Sequence, residues 1–376
     1  MTSPSHSVDL AREQYHLRFE TEPGLSEWVP VPGVPRLEVE HSWVPFHLDL
    51  EANRVHWAPL TKRQLRKADF LDSRLLRSTQ PDFIKITSVG HHDKRNPAKT
   101  LWLFHFGHCG STSLSRALGA SFELPTFREP GMMWSFFRQL EQSETLTSSQ
   151  VEVAKNLISI MTHDLGPAII KPSSLHMELI AENLVEPISS KALFLVHSWR
   201  TCLLNGLKNL EPNGTLGGDY PMYERSARKF WKRHGIDVQF LADLAQSLPG
   251  PVASLLIGWL GKISMLHYAW HTLDYVDNKV IIPFEDYVEA PCTVIQQIAQ
   301  KLKCQMLSTT EVDIRDLGKG RQRFETKSFA KTLGQLNSAY QTELMECDRL
   351  IKKIYEGDHK VGLALRFFQD AVGLKS

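Results

Sequence analysis

One stretch, residues 101–119, constrains the fold more than any other part of the chain. An apolar run stops at Gly107, a turn of small residues follows through Ser113, and a helical pattern then begins. Gly107 and Gly110 permit backbone angles at which successive amides point inward, and the start of a helix adds the positive end of its dipole. This pattern predicts a binding site for a nucleotide phosphate, although a buried strand also enters a helix in this way in doubly wound proteins that bind no phosphate there.

Short apolar runs at residues 101–106, 168–170, 192–196 and 280–282 alternate with long helical segments. This spacing requires crossover connections, which are typical of parallel sheets. We therefore predict an α/β fold for residues 98–376, with a doubly wound, mostly parallel sheet covered by helices on both faces. Residues 1–97 are predicted to form a small accessory region, with a β-hairpin around the turn at 51–53 and a connector helix within 61–79.

Composition excludes several classes of protein. The 43 basic and 42 acidic residues give a net charge of +1, which argues against a nucleic-acid partner. The five cysteines form no C-x-x-C pair, and we read no H-x-x-x-H or H-E-x-x-H metal pattern in the sixteen histidines, so we expect a reducing compartment and no metal. The N-terminus lacks an apolar signal segment, and residues 251–270 are predicted to be a buried helix and not a membrane span. A cytoplasmic location is expected.

Two charged residues stand at predicted strand ends. Glu129 precedes Pro130, which disfavours helix, so this carboxylate is expected in a loop where it could accept a proton. Lys171 ends an apolar run before Pro172 and could place its ammonium on a sulfonate or phosphate oxygen. The alternatives are a solvated carboxylate or a salt bridge to Arg128 for the first residue, and a solvent-facing lysine for the second.

The turn at 107–112 resembles the phosphosulfate-binding loop of sulfotransferases, with His108 where that family usually has Lys or Arg. It differs from the G-x-x-x-x-G-K-[ST] loop of nucleoside triphosphatases, because Ser111 stands where the Lys is required. The segments 192–205, 282–291 and 318–324 extend the resemblance, with His197 and Asn205 in place of the family's Arg and Ser. Together these segments resemble the bacterial branch of the family that carries an N-terminal extension, on a P-loop-type fold.

The resemblance implies a sulfotransferase that moves a sulfo group from 3′-phosphoadenosine-5′-phosphosulfate to a hydroxyl or amine of a small-molecule acceptor. It implies that His108 or Lys171 steadies the bridging oxygen and that Glu129 takes the acceptor's proton, so the implied catalytic residues are His108, Glu129 and Lys171. The implied donor-binding residues are Gly107, His108, Cys109, Gly110, Ser111, Thr112, Ser113, His197, Arg200, Asn205, Lys319 and Arg321. A homodimer is compatible with the sequence.

Two alternatives stay open at this point. One is an ATP-dependent kinase on the same fold, against which count the missing Lys after Gly110 and the lack of a clear magnesium-binding acidic segment. The other is a catalytically degenerate nucleotide-binding or interaction protein, favoured by the neutral residues His197 and Asn205 at positions where the family binds the donor's 3′-phosphate.

Overall fold

The computed structural model describes residues 42–49, 54–61, 65, 71, 85–88, 99–107, 110–134, 136–137, 147–186, 190–208, 216, 220–276, 278–306, 334–335, 338–357 and 360–372. Their contacts group into two compact units. Unit 1 comprises Met1–Trp102, Leu118–Ser173 and Asn183–Lys191, and unit 2 comprises Leu103–Ala117, Ser174–Glu182 and Ala192–Ser376. The domain boundary predicted between residues 97 and 98 stays a prediction.

Unit 1 contains a three-stranded antiparallel sheet in the order β1-β2-β3. Its strands are β1 (Ser42–Asp49), β2 (Arg54–Leu60) and β3 (Lys85–Ser88). β1 and β2 pair from Ser42 opposite Leu60 to Asp49 opposite Arg54, with an irregularity between Pro45 and His47. The predicted antiparallel pairing of these two strands is therefore confirmed, while the turn at 51–53 lies outside the described residues. Val44 and Leu48 of β1 are buried, and β2 is buried from Val55 to Leu60.

A second sheet contains five strands in the order β5-β6-β4-β7-β8. These strands are β4 (Thr100–His105), β5 (Thr126–Arg128), β6 (Ala168–Lys171), β7 (Ser190–Val196) and β8 (Lys279–Pro283). The pairs β4–β6, β5–β6 and β7–β8 are parallel. The predicted mostly parallel α/β sheet and its four strand positions are confirmed. β4 is the first of these five strands in the chain but lies at the centre of the sheet, so the strand order reverses at β4.

Helices connect and cover these strands. They are α1 (Ser111–Ser121), α2 (Ser148–Leu165), α3 (Met177–Asn183), α4 (Trp199–Leu207), α5 (Tyr220–Arg233), α6 (Phe240–Ser247), α7 (Gly250–Thr272), α8 (Phe284–Glu289), α9 (Pro291–Lys301), α10 (Gln341–Glu356) and α11 (Lys360–Val372). In unit 2, α4, α5 and α11 all pack on α7. Gly261 of α7 allows the close approach of α5, because a Cβ there would overlap Ala227.

Helix α7 is long and apolar enough to cross a membrane by length and composition, but 83% of its apolar window is buried inside the protein. The core helix of a globular unit has these same properties. Leu256, Leu260 and Ile263 are completely buried. The prediction that this stretch is a buried helix is confirmed.

Candidate functional site

The predicted anion-binding turn directly follows β4, which ends at His105. Gly110 has a φ of +69°, a left-handed conformation that favours glycine. The Leu114 amide donates a hydrogen bond to the Gly110 carbonyl at 3.0 Å and so begins α1. The amides of residues 111–113 precede that bond, and amides in the first turn of a helix have no acceptor within the helix. Together with the helix dipole, they can hold an anion.

Gly107, the first glycine of the turn, packs against Tyr223 of α5. A Cβ at this position would overlap the Tyr223 hydroxyl and would lie 3.2 Å from Ser174 Oγ. Lys262 Nζ donates a hydrogen bond to the Ser174 carbonyl and lies 4.7 Å from the centre of the Tyr223 ring. Because Lys262 is only 1% exposed, this cluster contains a buried positive charge.

The three hydroxyls at the start of α1 have different surroundings. Ser111 is buried, and Thr112 is half-buried while its carbonyl accepts a hydrogen bond from Ser115 Oγ at 2.9 Å. Ser113 Oγ lies 3.1 Å from the Tyr287 hydroxyl. Burial raises the pKa of Tyr287 to about 12, so the phenol stays protonated and can donate to Ser113. The Ser113–Tyr287 contact joins α1 to α8, which favours a structural use of that hydroxyl.

Glu129 and Lys171 form an ion pair in unit 1. Lys171 Nζ lies 2.5 Å from Glu129 Oε1, with the two side chains 1% and 19% exposed. Strand register explains the contact, because Arg128 of β5 lies opposite Lys171 of β6 and the Glu129 amide donates to the Lys171 carbonyl at 2.6 Å. The expected strand-end positions of both residues are found, and the alternative of a solvent-facing Lys171 is wrong.

The backbone of Glu129 has a φ of +49°. This left-handed conformation costs a residue with a Cβ about 1–2 kcal/mol, and surrounding contacts must hold it. The Leu71 amide donates to the Arg128 carbonyl at 2.8 Å, and the Gly131 amide donates to the Leu71 carbonyl at 2.7 Å. These bonds fix the chain on both sides of Glu129. The local strain is therefore maintained by its surroundings and places the carboxylate beside a buried ammonium.

His197, Arg200 and Asn205, the candidates for the donor's 3′-phosphate, follow the carboxyl end of β7. His197 is 1% exposed, and its ring packs 4.7 Å from Phe106. The Arg200 guanidinium is exposed and pairs with Asp348 at 2.7 Å. Asn205 is half-buried in α4. The three side chains therefore lie at one strand-to-helix junction, with His197 before α4 and the other two within it, and they differ widely in exposure.

Sequence reasoning did not identify Glu285, which fixes the start of α4. Its Oε1 accepts hydrogen bonds from the Ser198 amide at 3.0 Å and from Thr201 Oγ1 at 2.8 Å. Ser198 caps α4 through the Thr201 amide. A carboxylate near the first turn of a helix also interacts favourably with the helix dipole. Glu285 thereby holds the junction that carries His197 and Arg200.

Lys262 and Tyr223 were also missed as members of a site. A lysine inside a long apolar helix was the available signal, because a buried ammonium requires nearby polar or aromatic partners. Four predicted residues, His108, Cys109, Lys319 and Arg321, lie outside the described residues. Among the residues that are described, no group of three or more His, Cys, Asp or Glu side chains could hold a metal ion.

Comparisons with known proteins give the following result. No protein-family model matches the sequence, and no curated protein matches it. The structure is similar to "Sulfotransferase Domain from the Curacin Biosynthetic Pathway", with a TM-score of 0.33 and 15% identity over 60% of this chain and 79% of that chain. It is also similar to a sulfotransferase from Alicyclobacillus acidocaldarius, with a TM-score of 0.28 and 14% identity over 65% of this chain and 97% of that chain. Both neighbours are sulfotransferases. At such identities the similarity assigns neither a donor nor an acceptor to this chain.

Proposed function

We propose that this protein is a sulfotransferase that moves a sulfo group from 3′-phosphoadenosine-5′-phosphosulfate to a hydroxyl or amine of a small-molecule acceptor. The observation that carries the proposal is the position of Gly107 and of residues 110–113. They follow the carboxyl end of β4, the strand at which the strand order of the sheet reverses. Ligands of open α/β sheets bind at such switch points, outside the carboxyl ends of the strands.

The turn fits the 5′-phosphate of the donor. Gly110 supplies the left-handed backbone angle, and the amides of residues 111–113 supply donors at the positive end of α1. Ser111 and Thr112 add hydroxyls that can donate to phosphate oxygens. No Lys stands after Gly110, so the cation that a nucleoside triphosphate receives at this point is missing. This difference favours a phosphosulfate donor over ATP.

Glu129 and Lys171 supply the groups that transfer chemistry requires. The donor provides the sulfo group and a phosphate as the leaving group. The Glu129 carboxylate accepts the proton of the acceptor hydroxyl or amine as the new bond to sulfur forms, and the bond from sulfur to the bridging oxygen breaks. The Lys171 ammonium provides positive charge for the oxygens on which negative charge develops. Its burial at 1% exposure strengthens that interaction, because little water screens the charge.

The catalytic assignment is tested by Glu129→Gln, with donor binding and sulfo transfer measured separately. Radiolabelled donor and a panel of phenols, alcohols and amines report transfer, and calorimetry with adenosine 3′,5′-bisphosphate reports binding. We expect transfer to fall by at least about 100-fold, the usual contribution of a general base, while binding changes little. Unchanged transfer in a variant that sulfates an acceptor would contradict the assignment.

Glu123→Gln is the matched control. Glu123 also has a left-handed backbone, with a φ of +53°, and it is exposed. The substitution therefore repeats the loss of a carboxylate at a strained position in unit 1. Transfer should stay within a factor of two of the parent protein, so that a loss in Glu129→Gln can be assigned to the carboxylate of Glu129.

His108→Lys tests the loop itself. The substitution restores the cation that sulfotransferases usually have at this position, so we propose that affinity for adenosine 3′,5′-bisphosphate is kept or increased. A large loss of binding would show that the imidazole has a role of its own.

A further inference from the structure

Two histidines near the end of α7 form a pair that the sequence reasoning missed. His267 and His271 have H-x-x-x-H spacing, which places two side chains on one face of a helix. Their Nε2 atoms lie 3.2 Å apart, and their ring planes meet at 70°. The two rings therefore meet at their Nε2 atoms, which share a hydrogen bond.

The distance between the nitrogens matches the edge of a metal coordination sphere. Metal–imidazole bonds are about 2.0–2.1 Å long, so two nitrogens 3.2 Å apart that share one ion give an angle of about 100° at the ion. That angle lies between the octahedral and the tetrahedral values. An ion between the two nitrogens would replace their hydrogen bond, and the ring that donates this bond would then carry its proton on Nδ1.

Neighbouring side chains hold both rings in position. The ring of Phe367 lies 5.1 Å from His267 and 5.6 Å from His271. Asp274 Oδ2 lies 3.9 Å from His271 Nδ1, and Lys279 fixes the same carboxylate through a 2.9 Å bond to Oδ1. A carboxylate beside Nδ1 favours a proton on that atom, which leaves Nε2 with a lone pair for an ion.

One member of the pair is open to water. The side chain of His271 is 52% exposed, so water can reach the remaining positions around an ion.

We propose that His267 and His271 bind a late first-row divalent transition-metal ion, such as Zn²⁺ or Cu²⁺, with water in the remaining positions. Imidazole ligands suit these ions, whereas Ca²⁺ and Mg²⁺ require oxygen ligands. The site has two protein ligands and therefore differs from clusters of three or more. It stands independently of the proposed sulfotransferase activity.

The test uses the full chain and compares three variants with the parent protein. His271→Ala removes an exposed ligand with little effect on packing, and Asp274→Asn removes the group that orients His271. His234→Ala is the matched control, because His234 belongs to the same unit and has no histidine one helical turn away. Zn²⁺ binding is measured by calorimetry, and Cu²⁺ coordination by electron paramagnetic resonance.

We expect the parent protein and His234→Ala to bind one Zn²⁺ at this site, with a Cu²⁺ spectrum that shows two imidazole nitrogens. Affinity should fall at least tenfold in His271→Ala and about tenfold in Asp274→Asn. A rise of the melting temperature with Zn²⁺ in the parent, absent from His271→Ala, gives an independent readout. Equal Zn²⁺ affinity and equal Cu²⁺ spectra in the parent and His271→Ala would overturn the proposal.

Discussion

The ion pair of Glu129 and Lys171 allows a quantitative prediction about stability. Lys171 is almost fully enclosed, with 1% of its side chain exposed, whereas Glu129 has 19% exposed. Removal of one partner from a buried pair costs about 3–5 kcal/mol, because the remaining charge is left in a poorly solvated place. The two single substitutions should therefore have unequal effects.

Glu129→Gln leaves the enclosed ammonium without a counter-charge. The glutamine oxygen still accepts a hydrogen bond, so we expect a loss of about 3 kcal/mol, at the low end of that range. Lys171→Met replaces the ammonium with an apolar chain of similar length and leaves a carboxylate that already reaches water. Its expected cost is about 1–2 kcal/mol. In the double variant both charges are absent, and the loss should be smaller than the sum by about 2 kcal/mol.

The pair of Lys155 and Glu186, also in unit 1, provides the control cycle. Its nitrogen and oxygen are 3.1 Å apart, and the two side chains are 33% and 37% exposed. Solvent-exposed pairs contribute about 0–1 kcal/mol, so we expect a coupling energy in that range for Lys155→Met with Glu186→Gln. The two cycles differ mainly in burial.

The assay is urea denaturation followed by tryptophan fluorescence and circular dichroism, with the free energy taken from the midpoint and slope of each transition. A coupling energy below about 0.5 kcal/mol for Glu129 and Lys171 would refute the reasoning. A larger loss in Lys171→Met than in Glu129→Gln would also refute it, because that result requires the carboxylate to be the enclosed partner.

Two further predictions concern unit 2. Gly107→Ala places a Cβ on the Tyr223 hydroxyl, so stability should fall by about 1–3 kcal/mol, measured by thermal melting. Affinity for adenosine 3′,5′-bisphosphate, measured by calorimetry, should fall at least threefold. Gly250→Ala, with open space around it, is the control, and equal behaviour of the two variants would contradict the packing at Gly107. Burial, followed by the charges of Lys262 and other cations, lowers the pKa of His176 to about 3. The neutral His176 stabilises the fold above pH 6.5, and this stabilisation is lost as pH falls toward 3. Between pH 7.5 and 4.5 the free energy of unfolding should therefore fall by about 3 kcal/mol more in wild type than in His176→Asn. If the stability of the two proteins, measured by urea denaturation, changes equally with pH, then His176 does not titrate in this way.

The strand positions could be predicted because they depend on local patterns. The run at 168–170 is apolar, and Pro172 follows Lys171. These two signals sufficed to predict β6 with Lys171 at its end. Hairpin pairing between β1 and β2 likewise followed from alternation around a short turn. Prolines and apolar runs act over a few residues, so one sequence contains the whole signal.

The contacts between distant residues could not be predicted in the same way. Glu129 and Lys171 are 42 positions apart, and their contact depends on the register between two parallel strands. Arg200 and Asp348 are 148 positions apart, so the partner of that guanidinium could not be identified from its neighbours in the chain. The contact of Lys262 with Ser174 joins positions 88 apart and likewise requires the packed fold.

Calorimetry with adenosine 3′,5′-bisphosphate and with ATP in the presence of Mg²⁺ tests the central claim most directly. The turn at 107–113 lacks the lysine of a triphosphate loop, so we predict micromolar binding of adenosine 3′,5′-bisphosphate, and ATP binding at least tenfold weaker. Tighter binding of ATP would contradict a phosphosulfate donor and favour a kinase. Binding of neither nucleotide would contradict transfer altogether and favour a protein that has kept the fold without the activity.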